Sequence, residues 1–304
     1  MIDFDESEYK FLDVFLKDKS YIYITSLTKE FWDMGYNWVL SLKNINQDHL
    51  ALIICLDIES YKELKNLNLN CVFLNTNIQK NITMNDWFEN EKNYKIIGPI
   101  KIGKKYNIDL IGSDTDIVFL KNPVEKLKKE IVGYDFITIS DKRFDPFLYN
   151  REINKIKLLN SDKKTVCDIG YCPQIKNGIA NGCFAYLNFS NKDLKEKNLN
   201  FFSVFVPNSN YYDEFYKTRS KDDTPEDLSL QSIVNYRYKQ LNMKVKILNC
   251  FEFVNGSVWK IPYLKEKVKD NCYLIHYNFC DETDPLTVKN DKIKWMKENN
   301  HWFL

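Results

Sequence analysis

The run Asp109-Leu-Ile-Gly-Ser-Asp114-Thr-Asp116-Ile-Val-Phe-Leu-Lys-Asn-Pro123 carries the pattern on which the reading of this chain turns. An apolar strand ends at Gly112, where a backbone turn is easy, and a second apolar run, residues 117–120, returns on the far side. Between them stand two carboxylates one residue apart. In an extended segment Asp114 and Asp116 point to the same side. Hard oxygens so spaced can hold Mg²⁺ or Mn²⁺, with water and phosphate oxygens completing the shell. Alone the pattern is weak, because acidic residues at strand ends also cap turns and helices.

Outward from this run, short β-like stretches alternate with helical ones. On the N-terminal side strands are expected over 21–26 (YIYITS), 50–56 (LALIICL) and 71–74, and the run itself opens on a strand over 108–112. Helices are expected over 29–44, 59–66 and 92–106. The all-apolar 50–56 marks a strand buried on both faces. Such alternation predicts right-handed βαβ units and a central mixed, mostly parallel sheet flanked by helices, an α/β fold. In such sheets ligands bind beyond the carboxyl ends of the strands. The second half is less regular: strands are expected over 134–140, 182–189, 245–249 and 272–277, and helices over 210–219, 225–240 and 290–298. No repeat, low-complexity linker or Pro/Gly-rich boundary divides the chain, so one domain over 1–304 is expected. Its nucleotide-binding half, about 20–123, ends in the D-x-D; its acceptor-side half, about 124–304, closes with a metal- and phosphate-binding segment.

Composition narrows the function. The 304 residues can bury a sizeable core, and 44% hydrophobic with 15% aromatic residues fits a folded protein. Lys and Arg (43) balance Asp and Glu (42), so a net charge of +1 gives no global field for nucleic acid or an anionic membrane. No run reaches the roughly 18 apolar residues of a membrane span, and the acidic opening residues lack the pattern of a secretory signal; a cytoplasmic protein without a transmembrane segment is expected. Of eight cysteines none forms a CxxC pair. Only Cys167 and Cys172 are close enough to suggest a clip, while Cys55, Cys71 and Cys183 lie in apolar runs, where a thiol behaves as a small hydrophobe. Reduced core cysteines are therefore expected, and the sequons at Asn81, Asn188 and Asn255 carry little meaning in a reducing compartment. Trp38 and Trp87 fall in helical apolar patterns and read as core. Tyr211, Tyr212 and Trp259 read as an acceptor-side surface, and His49 and His301 as surface residues.

The aspartate pair between two buried strands resembles the D-x-D of GT-A glycosyltransferases. More closely, the chain resembles the nucleotide-diphospho-sugar transferase family, with its arabinosyl- and xylosyltransferases (glycosyltransferase family 77), and more distantly the glycogenin-like family. Asn37-Trp-Val-Leu-Ser-Leu42 resembles that family's first-helix "NWxxSL", and Ile54-Cys-Leu-Asp57 its strand end "vvaLD". Ser113 to Pro123 resembles "sDxDvvWLrdP", with Phe119 in place of the tryptophan. Asn181-Gly-Cys-Phe184 is similar to the "NxGf" turn, Ile275-His276-Tyr-Asn278 to "vHxN", and Lys292-Ile293 with Trp302 to the closing "K…lkxxxlW". Two positions depart: the helical "DQxxxN" stands as Leu230-Gln231-Ser-Ile-Val-Asn235, without its aspartate, and Lys289 replaces a glycine three residues before Lys292.

The resemblance implies a GT-A fold and metal-dependent transfer of a sugar, with retention, from a UDP-sugar to a glycan, protein or small-molecule acceptor. In that scheme Asp114, Asp116 and His276 ligate the cation, which neutralises the leaving diphosphate; an imidazole ligand favours Mn²⁺ over Mg²⁺. Lys292 and Lys95 answer phosphate or sugar, Thr25 and Ser26 close the nucleotide end of the first strand, and Asn181 and Gln231 orient sugar hydroxyls. Asp116→Ala is expected to abolish turnover with little loss of stability. An alternative is a haloacid-dehalogenase-type phosphohydrolase, with Asp114 as nucleophile and Asp116 as acid/base, though that motif should open its domain and a later acidic magnesium motif is missing. A second alternative, raised by Leu230, is an inactive relative that binds nucleotide sugar without turnover.

Overall fold

Alternating burial places most strands where both faces are covered. In β2 (Tyr21–Leu27) Ile22 and Ile24 pack on one face and Tyr23 and Leu27 on the other; in β3 (Ala51–Cys55) all five residues are buried. Parallel pairing follows, since both faces carry helices. The computed structural model describes residues 3–76, 84–140, 180–202, 243–278 and 285–304. With β1 (Asp3–Phe4), β4 (Cys71–Asn75), β5 (Asp109–Ser113), β7 (Phe136–Ser140), β8 (Ala180–Leu187) and β9 (Val245–Ile247), these strands form an eight-stranded sheet in the order β1-β4-β3-β2-β5-β8-β7-β9. Strands β4-β3-β2-β5 are parallel, β8 runs antiparallel to both β5 and β7, and β7-β9 is parallel. The mixed α/β sheet expected from the sequence is the one observed.

Helices cover both faces. On one side α1 (Glu6–Phe15), α4 (Met84–Tyr106) and α6 (Lys192–Phe202) lie against the Ile22, Ile54, Leu74 and Leu110 face; on the other α2 (Trp32–Asn44), α3 (Ile58–Asn66) and α5 (Val124–Glu130) cover Tyr23, Ile53 and Ile111. Sequence reading missed α1, although Glu8, Leu12 and Phe15 recur at helical spacing and are its buried face. Asp57 is the N-cap of α3: Oδ1 accepts from the Ser60 N–H at 2.7 Å and Oδ2 from the Lys29 N–H at 2.7 Å.

A second sheet is attached to the first through the D-x-D. Strands β10 (Phe253–Asn255) and β11 (Leu274–His276) pair in parallel, and β11 runs antiparallel to β6 (Ile117–Phe119). Around it α7 (Gly256–Trp259), α8 (Pro262–Val268) and α9 (Pro285–Glu298) build a third core with Met34, Val118, Tyr277 and Met296. Trp259, expected on a surface, belongs to this core at 4% exposure, its Nε1–H donating to Asn299 Oδ1 at 3.1 Å. Asn255, read as a sequon, is buried and caps α7 by accepting from the Ser257 and Val258 N–H groups. Trp38 is core as expected. The helices expected over 210–219 and 225–240 lie outside the described residues, as do Tyr211, Tyr212, Cys167 and Cys172.

Asp109, at the start of β5, is a buried anchor between sheet and α6: Oδ2 accepts from the Tyr186 hydroxyl at 2.8 Å, Oδ1 from the Phe189 and Ser190 N–H groups at 3.0 Å each. Asp109→Ala orphans three donors at once and is expected to cost about 3 kcal/mol of stability. A denaturant midpoint unchanged from wild type would show that these bonds are no anchor.

Candidate functional site

Strand β5 ends at Ser113 and β6 begins at Ile117, so Asp114-Thr115-Asp116 is the link from the large sheet to the small one. The link is a turn, closed by the Ile117 N–H donating to the Asp114 carbonyl at 3.3 Å, and the extended geometry expected for it does not hold. A strand leaving one sheet for another must bend, and the bend sends the two carboxylates to different neighbours. Asp114 is half-exposed, with its Oδ1 3.7 Å from Lys95 Nζ. Asp116 is 5% exposed: Lys292 Nζ donates to its Oδ2 at 2.6 Å, and His276 Nε2 stands 3.4 Å from its Oδ1.

The helix motif Asn37-Trp38-…-Ser41 braces this turn. Trp38 Nε1–H donates to Ser113 Oγ at 2.8 Å, just before the turn, and Ser41 Oγ accepts from the Phe119 N–H at 3.2 Å, just after it. Asn37, adjacent on the same helix, gathers the C-terminal segment: its Nδ2 donates to the His301 carbonyl at 3.0 Å, and its Oδ1 accepts from the Phe303 N–H at 2.7 Å. Lys289 ion-pairs with Asp33 at 2.8 Å, which docks α9 on the start of α2. That docking carries Lys292, about one turn further along α9, to Asp116.

His276 is set by its strand. It pairs opposite Ile117 in β6, and the next residue, Tyr277, donates its N–H to the Asp116 carbonyl at 2.9 Å. Asn278 closes the motif by accepting from the Gly256 N–H at 2.8 Å. Glycine is required at 256, because a Cβ there would lie 2.2 Å from the Asn278 carbonyl oxygen.

Lys95 has a local cause of its own. Pro99 lies inside α4 and has no N–H for the carbonyl four residues earlier. That carbonyl belongs to Lys95, and Ser26 Oγ donates to it at 3.3 Å from the end of β2. Ser26, expected to touch nucleotide, thus also fastens the helix that carries Lys95. Beside it, the buried hydroxyls of Thr25 and Thr28 have no hydrogen-bond partner among the described residues. Thr28 was not singled out from the sequence.

Burial alone would push the Asp116 carboxyl up. The charges of Lys292 and His276 outweigh it and hold the group well below the usual carboxylate range, so it is ionised. Yet its Oδ1 makes no hydrogen bond and is sealed from water. The His276 imidazole faces that oxygen at 3.4 Å and holds it by charge more than by a well-formed hydrogen bond. Asp114, Cys183 and His276 each bring a ligand atom, all within 4.8 Å of one another, a group that does not include Asp116. Of the expected donors Asp114 and His276 share this group, with Cys183 as its third member, and carboxylate, imidazole and sulfur are donors a divalent ion can take; Asp116 adjoins it through His276. The reading of Cys183 as a core thiol is corrected: Asn181 to Phe184 belong to strand β8, not to a turn, and the Asp114 N–H donates to the Cys183 carbonyl at 2.8 Å. A cysteine directly before Phe184 in the strand beside the D-x-D was the available signal. Asp116→Ala would also strand Lys292 beside an empty buried site, so the expectation of little stability loss is withdrawn. The Asn181 backbone lies in β8, and Gln231 lies outside the described residues.

Comparison with known proteins gives a concordant picture. Residues 47–296 match the nucleotide-diphospho-sugar transferase family. No curated protein sequence matches. Among solved structures, the apo bifunctional glycosyltransferase WbbM aligns with 91% of this chain and 49% of its own, at 12% identity and TM-score 0.51. The galactosyltransferase LgtC, with donor and acceptor sugar analogues, aligns over 91% of this chain and 95% of its own (11% identity, TM-score 0.45). Mouse xyloside xylosyltransferase 1 aligns over 87% and 99% (11% identity, TM-score 0.47). At such identities the likeness to WbbM is one of fold. Among the described residues no helix is long and apolar enough to cross a membrane.

His301, read as a surface residue, is largely buried; its Nδ1 lies 2.6 Å from the Tyr277 hydroxyl, against Trp259. Burial, with the Lys265 charge nearby, pushes its imidazole down to about 4. In the unfolded chain it titrates near 6.5. Between those values the unfolded state binds the extra proton, so stability is full above about pH 6.5 and falls as pH drops towards 4. Comparing wild type with His301→Gln by urea unfolding at pH 7.5 and 4.5 should show the wild type losing roughly 2–3 kcal/mol more. Equal losses would refute the buried neutral imidazole.

Proposed function

Because the chain belongs to the nucleotide-diphospho-sugar transferase family, we propose that it transfers a sugar from a UDP-sugar to an acceptor, with retention, using a divalent cation held by Asp114, Asp116 and His276. The observation that carries the reading is the approach of an Asp114 carboxylate oxygen, a His276 ring nitrogen and Cys183 Sγ to within 4.8 Å of one another, with the ionised, buried Asp116 Oδ1 3.4 Å from His276 Nε2. The cation supplies Lewis-acid stabilisation of the leaving diphosphate. An imidazole donor favours manganese over magnesium.

The other groups have roles that follow from this reading. Lys95 lies 3.7 Å from Asp114 and Lys292 2.6 Å from Asp116, and both counter the charge of a diphosphate. The carboxyl end of β2 takes the nucleotide, where the buried Thr25 and Thr28 hydroxyls offer donors and acceptors to the ribose or base. Asn181 and Gln231 orient sugar hydroxyls. One domain, with the nucleotide half ending in the D-x-D, and a location in the reducing cytoplasm, where the buried thiols of Cys55 and Cys71 persist, complete the proposal. The acceptor is a glycan, a protein side chain or a small molecule.

Family membership speaks against the phosphohydrolase alternative, and so does chain order: β2, β3 and β4 all precede the D-x-D. The test is donor hydrolysis over a panel of nucleotide sugars, with Mn²⁺ or with chelator. Manganese-dependent release of UDP from one donor is expected, and Asp114→Asn should lower it about a thousandfold, or roughly 4 kcal/mol. Release that persists in chelator would sink the metal dependence. Metal-dependent nucleotide binding without release would instead identify an inactive relative.

A further inference from the structure

Three donors meeting at one point do not reproduce the set expected from the sequence, because one of them is sulfur. We propose that Cys183 is itself a ligand of the cation, and that the site binds borderline ions such as Co²⁺ or Zn²⁺ in preference to the harder Mg²⁺. The inference rests on the metal-dependent reading above and goes beyond it.

Four observations support it. Cys183 Sγ, an Asp114 carboxylate oxygen and a ring nitrogen of His276 all lie within 4.8 Å of one another. A single ion bonded to carboxylate, imidazole and thiolate at about 2.0–2.3 Å each requires its donors to be no further apart than this. Next, the imidazole of this trio also lies 3.4 Å from Asp116 Oδ1 through its Nε2, which ties the trio to the D-x-D turn. The backbone also fixes the sulfur: Ser113 pairs with Phe184 in the ladder, and the Asp114 N–H bonds to the Cys183 carbonyl, so the thiol cannot slide along the strand relative to the D-x-D. Finally, Cys183 is only partly buried, unlike the enclosed Cys55 and Cys71, so sulfur at this position is not needed to fill a core.

Donor chemistry then sets the preference. Carboxylates alone suit magnesium, which demands oxygen and keeps its waters. A thiolate beside an imidazole does not; it strengthens binding along the series that ends in copper and zinc. On binding, the thiol gives up its proton to solvent and the sulfur lone pair forms the new bond, with no change in oxidation state.

The test uses Co²⁺ alone with the full chain. A thiolate ligand gives a sulfur-to-cobalt charge-transfer band in the near ultraviolet, which oxygen and nitrogen ligands do not. Wild type is expected to bind one equivalent by equilibrium dialysis and to develop that band in step. Cys183→Ala and Cys183→Ser should still bind, about tenfold or more weakly, and without the band; both should keep the wild-type circular dichroism spectrum. Co²⁺ bound by wild type with no band, or a band retained in both variants, would overturn the thiolate ligand and leave the metal reading standing. No Co²⁺ bound to wild type would overturn both.

Discussion

A carboxylate out of water is the constraint around which this molecule is arranged. Removing the Asp116 charge from solvent costs several kcal/mol, and only counter-charges with good geometry offset it. Here those come from far along the chain, Lys292 from α9 and His276 from the end of the small sheet's central strand. Without them the turn between β5 and β6 could not sit inside the protein. The small sheet, the docking of α9 on α2 and the C-terminal segment held by Asn37 all serve to keep that carboxylate company.

The site is accordingly built by bracing rather than by local rigidity. Trp38 and Ser41 fix the chain on either side of the turn from a single helix face. Ser26 takes up the carbonyl that Pro99 leaves without a donor, and so holds Lys95 to the nucleotide end of β2. Each brace is one neutral hydrogen bond, worth about 1 kcal/mol net. Together they place charged groups whose errors of position would cost far more.

Much of the frame could be read from the chain. The all-apolar run of β3 announced a strand covered on both faces, and the alternation of runs gave the parallel half of the sheet. The D-x-D and His276 stood at strand ends, where ligands gather in such sheets. What could not be read depended on contacts between distant segments. The turn at Asp114 to Asp116 follows from β6 leaving for a second sheet, which no local pattern encodes. Trp259 and His301 read as surface because no local motif tied them to a core, yet both face the third core, assembled only when α7, α9 and β11 meet. Cys183 failed the other way: apolar neighbours suggested core, whereas the register of β8 on β5 sets it beside Asp114, where it is only partly buried.

The long reach of the Asp116–Lys292 pair also bears on the order of events during synthesis. The two residues are 176 positions apart, so a growing chain exposes the aspartate long before its lysine exists. Until α9 has emerged and docked, burying the turn would enclose an uncompensated charge, and the nascent chain is better served by leaving it in water. The large sheet can form from its first five strands while the ribosome still works, but the centre closes only once α9 has emerged. A prematurely terminated product would therefore keep most of its sheet and lack the centre altogether.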